Sequence, residues 1–415
     1  MQPLTAPGPP DGTSSAGHSS GSTSSASTEQ KKYRGRWIWL LSGIMTFAVL
    51  AVLSLVTIVH TTRSSPEQAI IALRARTVTI TQPVRALNVS SYGAPVEVTR
   101  NAGGRGPVQV TETVSYDAAS NAPAVTSAVS GGLLTLAAPA CADSGCSVGF
   151  SVTVPSGVAV TAASDGGNIW VSGTGAASID SGGAQVYAAG VSGQLTVSTE
   201  GGDVNVSNVT GPADLNSGGG PVTADSITGS LRVESAGGNV TVAGVPSATL
   251  DSGGGQVYAS GIAGPLAVTA EGGGVTLAGT GPATVDSGGG PVTATTVRGT
   301  FSVTSEGGEI QADGIGGSLT ADTGGSPLSA SGLDSAVATV TTEGGDATLA
   351  FTRAPQSVQV DSGGGNGTVT VPGGPYAVST DSGGAPDQVT VPVSPAAAQS
   401  IRVSTEGGLL QVGSA

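Results

Sequence analysis

Histidine and lysine are nearly absent from the 415-residue chain. The only histidines are His18 and His60, which precede the repeated part of the sequence, so that part can hold no Ser-His-Asp triad and no histidine metal site. Lysine occurs only at positions 31 and 32. From residue 165 onward there are 21 acidic residues and four arginines. This excess of negative charge repels nucleic acid and anionic lipid, which argues against both as partners of the segment.

A long apolar segment without charge follows the N-terminal tail. Residues 1–30 are rich in Ser, Gly and Thr and lack apolar periodicity, which predicts disorder. Four basic residues then complete a predicted tail over 1–36, and residues 37–60 are long enough to cross a hydrocarbon core of ~30 Å as a transmembrane helix. Because only Arg63 lies close after the span, the positive-inside rule predicts a cytoplasmic tail and extracytoplasmic residues 61–415.

A cleaved signal peptide is the alternative for this segment. Its apolar region would be shorter, ~7–15 residues, and would end at a small-residue cleavage site. No Ala-x-Ala sequence follows the apolar segment here. The uncleaved membrane anchor is therefore the favoured interpretation.

The segment between the anchor and the regular repeats holds the only two cysteines. Residues 61–76 are predicted to form a juxtamembrane stalk, and 77–164 an irregular β cap in which apolar residues alternate. Cys141 and Cys146 lie in this cap, and an even pair in an extracytoplasmic segment predicts a disulfide. The loop is short, so its stabilisation falls below the ~3 kcal/mol expected for a loop of about 15 residues.

A Gly-Gly doublet, usually preceded by a carboxylate, recurs from Gly166 to Gly407. The intervals are 16 to 20 residues, except for a last interval of 24. Such self-similarity predicts a solenoid over residues 165–415. Asp-Ser-Gly-Gly turns, as at Asp251, alternate with Glu-Gly-Gly turns, as at Glu271, so the repeating unit is a pair of coils. The glycines are predicted to occupy corners that require positive φ.

Apolar residues follow each doublet with a period of two, which indicates strands. A second strand precedes each doublet, for example at Leu195 and Val197. The fold class predicted is therefore all-β, a parallel β-helix with coils of ~16–20 residues stacked at ~4.8 Å. The two inward columns begin with Ile169 and Val171, and the second alternates large and small residues as layered packing requires. The C-terminal run 409–412 has no evident cap, which predicts an unpaired edge and edge-to-edge self-association.

An outward column lies between the two inward ones and is the candidate binding surface. A flat ladder of Thr and Tyr side chains could contact glycan or another protein surface, although these residues are also ordinary on the exposed faces of strands. The column consists of Trp170, Tyr187, Asn205, Thr223, Thr241, Tyr258, Thr276, Thr293 and Gln311.

The recurring carboxylates have three interpretations. Those such as Asp180 and Asp361 are favoured as turn residues that hydrogen-bond local backbone, because they recur in many coils whereas an active site occurs once. Carboxylate-only catalysis, as in glycosidases, is an alternative. A ladder that binds Ca²⁺ is another, although the tandem nonapeptide of calcium β-rolls is absent. The weak calcium candidates are Asp251, Glu271, Asp286 and Glu306.

One run of sequence resembles a known family. Phe150 to Val160 reads Phe-Ser-Val-Thr-Val-Pro-Ser-Gly-Val-Ala-Val and leads into Ser-Asp-Gly-Gly-Asn-Ile-Trp-Val at 164–171. This is similar to the bacterial "putative adhesin" domain of unknown function, over roughly residues 75–415. The resemblance implies a β-helix anchored in the bacterial cell membrane, sometimes associated with envelope-stress systems, and it supplies no catalytic residues. The long regular Asp-Ser-Gly-Gly array departs from it.

The sequence thus predicts a single-pass envelope protein with an adhesive or structural role, with no enzymatic activity and no cofactor. Its partners would be the membrane and a cell-wall glycan or surface protein. A sensory or regulatory ectodomain, with the N-terminal tail as its cytoplasmic contact, is the first alternative. A carbohydrate-active enzyme is the second, but it would need carboxylates and arginines clustered in one groove. The arginines of the repeats are scattered over Arg232, Arg298, Arg353 and Arg402.

Overall fold

The computed structural model describes residues 71–118, 120–140 and 145–415. In these ranges the regular structure consists of strands, and no helix there is long and apolar enough to cross a membrane. The predicted tail 1–36, the predicted transmembrane helix 37–60 and the first part of the predicted stalk lie outside the described residues. Strand structure begins at Ile71, within the segment assigned to the stalk.

The described chain forms 34 strands. In chain order they are β1 (Ile71–Ile80), β2 (Ala86–Arg100), β3 (Val108–Asp117), β4 (Thr126–Ser130), β5 (Leu133–Ala137), β6 (Ser147–Val154), β7 (Ala159–Asp165), β8 (Ile169–Ser172), β9 (Ala177–Ser181), β10 (Val186–Ala189), β11 (Leu195–Thr199), β12 (Val204–Val209), β13 (Ala213–Ser217), β14 (Val222–Ile227), β15 (Leu231–Ser235), β16 (Val240–Ala243), β17 (Ala248–Ser252), β18 (Val257–Ser260), β19 (Leu266–Ala270), β20 (Val275–Thr280), β21 (Ala283–Ser287), β22 (Val292–Val297), β23 (Phe301–Ser305), β24 (Ile310–Ile315), β25 (Leu319–Thr323), β26 (Leu328–Leu333), β27 (Val337–Thr342), β28 (Ala347–Phe351), β29 (Ser357–Asp361), β30 (Gly367–Val371), β31 (Ala377–Asp381), β32 (Asp387–Val389), β33 (Ser400–Ser404) and β34 (Leu410–Ser414).

From β7 to β30 the chain winds through twelve coils of two strands each. The odd-numbered strands pair in parallel to form the first sheet, and the even-numbered strands form the second sheet. Register is maintained from coil to coil, so Val186 lies beside Ile169 on one side and Val204 on the other. The predicted parallel β-solenoid is confirmed.

The core lies between the two sheets and is built in layers. The inward columns that begin with Ile169 and Val171 are buried throughout, as predicted. The facing column of the first sheet also alternates small and large residues from coil to coil. A coil with large inward residues therefore packs between two coils with small ones, which explains why the repeating unit is two coils. This column runs Ala177, Leu195, Ala213, Leu231, Ala248, Leu266, Ala283 and Phe301.

The serine of the Asp-Ser-Gly-Gly turn is buried, whereas its aspartate is exposed. Ser252 Oγ donates a hydrogen bond of 2.9 Å to the carbonyl oxygen of Gly255, three residues on, and so closes the turn inside the core. This satisfies a backbone carbonyl that water cannot reach. The same bond recurs in other coils, at Ser217, Ser235, Ser287, Ser305 and Ser362. Ala270 is the apolar exception in the stack.

The doublet glycines are needed for close approach of backbones, and the predicted positive φ is found in seven of the fourteen doublets, at the two ends of the array. Between residues 201 and 308 no doublet glycine has a positive φ. Instead, a methyl group at Gly255 would lie 2.0 Å from the carbonyl oxygen of Gly238, and one at Gly273 would lie 1.9 Å from that of Gly255. Contacts this short exclude any side chain. Positive φ occurs at a different corner, where the second-sheet strand ends, as at Gly261.

The C-terminal strand is not an edge, so the predicted unpaired edge at 409–412 is wrong. β34 pairs with β30 on one side and with β32 on the other, and β33 likewise lies between β29 and β31. The last coil of the chain is therefore inserted before the penultimate one, which forms the terminal rung. Tyr376 closes the core at this end, where its hydroxyl donates to Pro372 O at 2.8 Å. Burial raises the pKa of the Tyr376 hydroxyl above its ordinary value.

The N-terminal end shows the same exchange of order. β2 runs through both sheets, and its two halves lie between β7–β8 on one side and β5–β6 on the other. β3 pairs antiparallel with β6, β1 with β3, and β4 with β5. These antiparallel strands extend the two sheets beyond the outermost parallel coil.

The glycine contacts predict a sharp difference between two adjacent positions. Gly255→Ala should lower the free energy of unfolding by about 1–3 kcal/mol or more, because its methyl group would meet Gly238 O. Gly254→Ala is the matched control, since nothing lies within 4 Å of a methyl group there. Thermal unfolding followed by circular dichroism measures both. Equal midpoints for the two variants would contradict the contact argument.

A second prediction concerns an orphan hydroxyl in the core. Thr280 Oγ1 is buried without a hydrogen-bond partner among the described residues, and its neighbour in register is the apolar Val297. Thr280→Val should therefore raise the free energy of unfolding by about 1 kcal/mol, because the shape is kept and the unpaired polar atom is lost. The reverse exchange, Val297→Thr, should lower it. A destabilised Thr280→Val variant would show that the hydroxyl has a partner in solution.

Candidate functional site

Strand register places the outward column of the second sheet in a single ladder. Trp170 lies beside Tyr187, and the register continues through Asn205, Thr223 and Thr241. It then passes through Tyr258, Thr276, Thr293 and Gln311. The sequence therefore identified which side chains share this face.

The N-terminal end of the ladder lies in a groove with a volume of about 750 Å³. Trp170 and Tyr187 line it together with Leu73, Glu97 and Ser151. The remaining lining residues are small or apolar residues of β2, β3, β6 and β8, including the Gly93–Pro95 corner of β2. Both aromatic side chains are well exposed, at 39% for Trp170 and 44% for Tyr187. This arrangement offers a ligand two adjacent rings and a set of small polar groups.

The other exposed tyrosine of the ladder lies outside the groove. Tyr258 is exposed to a similar extent, 42%, but its neighbours in register are Thr241 and Thr276, and it does not line the groove. Its hydroxyl donates a short hydrogen bond to Gln256 Oε1. The ladder is therefore not uniform, because its first two aromatic residues line this groove and the third does not.

The groove depends on the path of β2. This strand crosses from the first sheet to the second at Gly93, where the pairing with β6 shifts in register and φ is 64°. The crossing brings Pro95 against Gly149 of β6, where a methyl group would lie 2.8 Å from Pro95 O. A side chain at position 149 would therefore have to displace this corner, which lines the groove.

Among the described residues that line the groove, Glu97 is the one with a charged side chain. It follows the crossing in β2 and is the register neighbour of Trp170 on one side and of Ser151 on the other. Ser151 Oγ donates a hydrogen bond of 3.0 Å to Glu97 Oε2, which fixes the carboxylate within the groove. Among the described residues the ion pairs are Arg232–Glu234 and Arg353–Asp334, so Glu97 has no basic partner there.

Sequence reasoning missed Glu97, Leu73 and Ser151. The alternation of Val96 and Val98 marks Glu97 as outward-facing, but nothing in the sequence shows that β2 pairs with β8, more than 70 positions later in the chain. A ladder that is inferred from the repeats alone begins at Trp170. It therefore omits the strands before the repeats, which make the N-terminal end of the ladder concave.

The calcium candidates do not converge. Asp251 and Asp286 share the outward column of the first sheet, but Thr269 lies between them. Glu271 and Glu306 lie at the turns, where Gly288 separates them in the stack. Within the described ranges, no group of three or more His, Cys, Asp or Glu side chains is placed to hold a metal ion.

The remaining carboxylates and the cysteine pair add no second site. Asp180 and Asp361 are exposed at strand ends of the first sheet, and Arg353 pairs with Asp334 at 2.9 Å on the surface. Cys146 lies just before β6, but Cys141 lies outside the described residues. The disulfide stays a prediction.

Comparisons with known proteins find structural similarity only. No protein-family model matches the sequence, and no curated protein matches it. Solved structures similar to the chain include a "putative adhesin" from Parabacteroides distasonis, with 13% identity, a TM-score of 0.22 and coverage of 83% of this chain and 98% of the other. A "putative cell adhesion protein" from Clostridium sporogenes has 7% identity, a TM-score of 0.17 and coverage of 83% and 100%.

A third similar structure is a "putative adhesin" from Bacteroides fragilis, with 14% identity, a TM-score of 0.16 and coverage of 83% and 97%. Two of the three proteins carry the family name that the run from Phe150 to Val160 suggests. Similarity at this level carries no argument about activity. The architecture described above rests on the strand register of this chain.

Proposed function

We propose that the protein is an adhesion module of the bacterial envelope, which binds a glycan in the groove lined by Trp170 and Tyr187. The observation that carries the proposal is the groove itself, where two exposed aromatic rings on neighbouring strands line a volume of about 750 Å³. Exposed aromatic rings offer flat apolar faces, which suit the apolar faces of sugar rings. The small polar lining residues can orient hydroxyl groups.

The scaffold suits a binding role. Each coil is hydrogen-bonded to the next along both sheets, so the two aromatic residues belong to a continuous ladder and not to a loop. A site on strands is held more precisely than one on loops, and a preformed groove costs little ordering entropy on binding. The proposal assigns the groove no catalytic chemistry.

The proposal includes a membrane anchor. Residues 37–60 would span the bacterial cell membrane with the tail 1–36 in the cytoplasm, because basic residues precede the span. The strands that line the groove begin 11 residues after this segment, at Ile71. Glycans of the cell's own envelope are therefore the first ligands to test.

Binding should depend on two of the three exposed aromatic residues of the ladder. Trp170→Ala and Tyr187→Ala should each weaken binding to isolated cell-wall glycans about ten-fold or more, because stacking area is lost. Tyr258→Ala is the matched control, since Tyr258 is equally exposed on the same column but lies outside the groove. Glycan arrays and titration calorimetry measure the effect. Absence of saturable binding by the folded protein would overturn the adhesive proposal.

Membrane attachment should depend on residues 37–60. Deleting them should move the protein from the membrane fraction to the soluble fraction, because no other segment is proposed to hold it in the bilayer. Deleting residues 1–30, which leaves the basic flank, should change nothing. Mass spectrometry of the mature protein tests the alternative. An N-terminus near residue 60 would show a cleaved signal peptide and would contradict the membrane anchor.

A further inference from the structure

The charge of the groove limits what it can bind. Glu97 is negative, and no arginine or lysine occurs among the lining residues that the structure describes. An anionic sugar would place its carboxylate or sulfate near Glu97 without a positive partner among the described lining residues, and the two like charges would repel each other.

The position of the carboxylate is more specific than its sign. Glu97 and Trp170 are direct neighbours on adjacent parallel strands, so the carboxylate lies beside the indole ring. Ser151 Oγ donates a hydrogen bond to Glu97 Oε2, whereas the other carboxylate oxygen accepts no hydrogen bond from the described residues. An aromatic face with an adjacent carboxylate oxygen that still accepts hydrogen bonds suits a ligand that joins an apolar ring face to a positive group.

We propose that the groove selects amino sugars that carry a free ammonium group, which deepens the proposed glycan-binding function and rests on it. The sugar ring stacks on Trp170 and Tyr187, and its ammonium group donates to Glu97. The protonated amine supplies the hydrogen bond that Glu97 can still accept. An N-acetylated sugar of the same ring keeps the stacking but loses the charge.

The test compares three soluble oligomers with the full-length protein in a detergent that has no sugar headgroup. The probes are β-linked oligomers of glucosamine, of N-acetylglucosamine and of galacturonic acid. The glucosamine oligomer should bind about ten- to a hundred-fold more tightly than the N-acetylated one, because a hydrogen bond to a charged group is lost on acetylation. The galacturonic acid oligomer should not bind measurably. Higher salt should weaken only the glucosamine complex.

Two variants separate the proposals. Glu97→Gln should reduce binding of the glucosamine oligomer to the level of the N-acetylated one and leave the latter unchanged. Trp170→Ala should weaken both. Equal affinity for both oligomers, with no effect of Glu97→Gln, would overturn the amino-sugar proposal and leave glycan binding intact. If no oligomer shows binding that Trp170→Ala weakens, both the glycan-binding proposal and the amino-sugar proposal are overturned. If the galacturonic acid oligomer binds in a way that depends on Trp170, the selection by charge is overturned and glycan binding is left intact.

Discussion

The structure depends on how closely the backbones of successive coils approach at the glycine corners. At Gly255 and Gly273 the carbonyl of the previous coil occupies the place where a side chain would begin. Coils can then stack at the sheet spacing of ~4.8 Å through the turn as well as along the strands. Register follows from this contact, because a coil displaced by one residue would bring a side chain into the corner. The outward ladder is a consequence of that register.

Layered packing explains why the unit is two coils. Ala248 and Ala259 make one layer narrow, and Leu266 and Leu277 make the next one wide. The buried serines close the turns with hydrogen bonds that water cannot reach, so polar groups at the corners cost little. Acidic residues are left for the exposed positions, where their mutual repulsion is screened by solvent. Packing and hydrogen bonding thus constrain the inward residues and the turn residues but not the outward residues. The aromatic residues of the ladder are among these outward residues.

The repeated part of the fold could be predicted from the sequence because each coil repeats the same pattern, apolar residues with a period of two and a Gly-Gly doublet. Inward columns such as the one beginning at Ile169 follow directly from the period of two. The ends could not be predicted, since β2 precedes the repeats and yet pairs with β8, and β33 pairs with β29 out of the order in which the coils follow along the chain. The groove was missed for the same reason. Trp170 and Tyr187 were visible as ladder residues, but Glu97 reaches them only through a strand that precedes the repeats.

The exchanged order at both ends changes how the solenoid can come apart. In a simple stack the last coil in sequence is also the last in space, so a chain end can peel away one coil at a time. Here the C-terminal strands β33 and β34 each have a neighbour on both sides. Unfolding from this end must begin with the internal strands β31 and β32, while β33 and β34 remain paired with β29 and β30. Loss of the structure at this end therefore requires several strands to separate together, and such a cooperative opening is expected to slow unfolding.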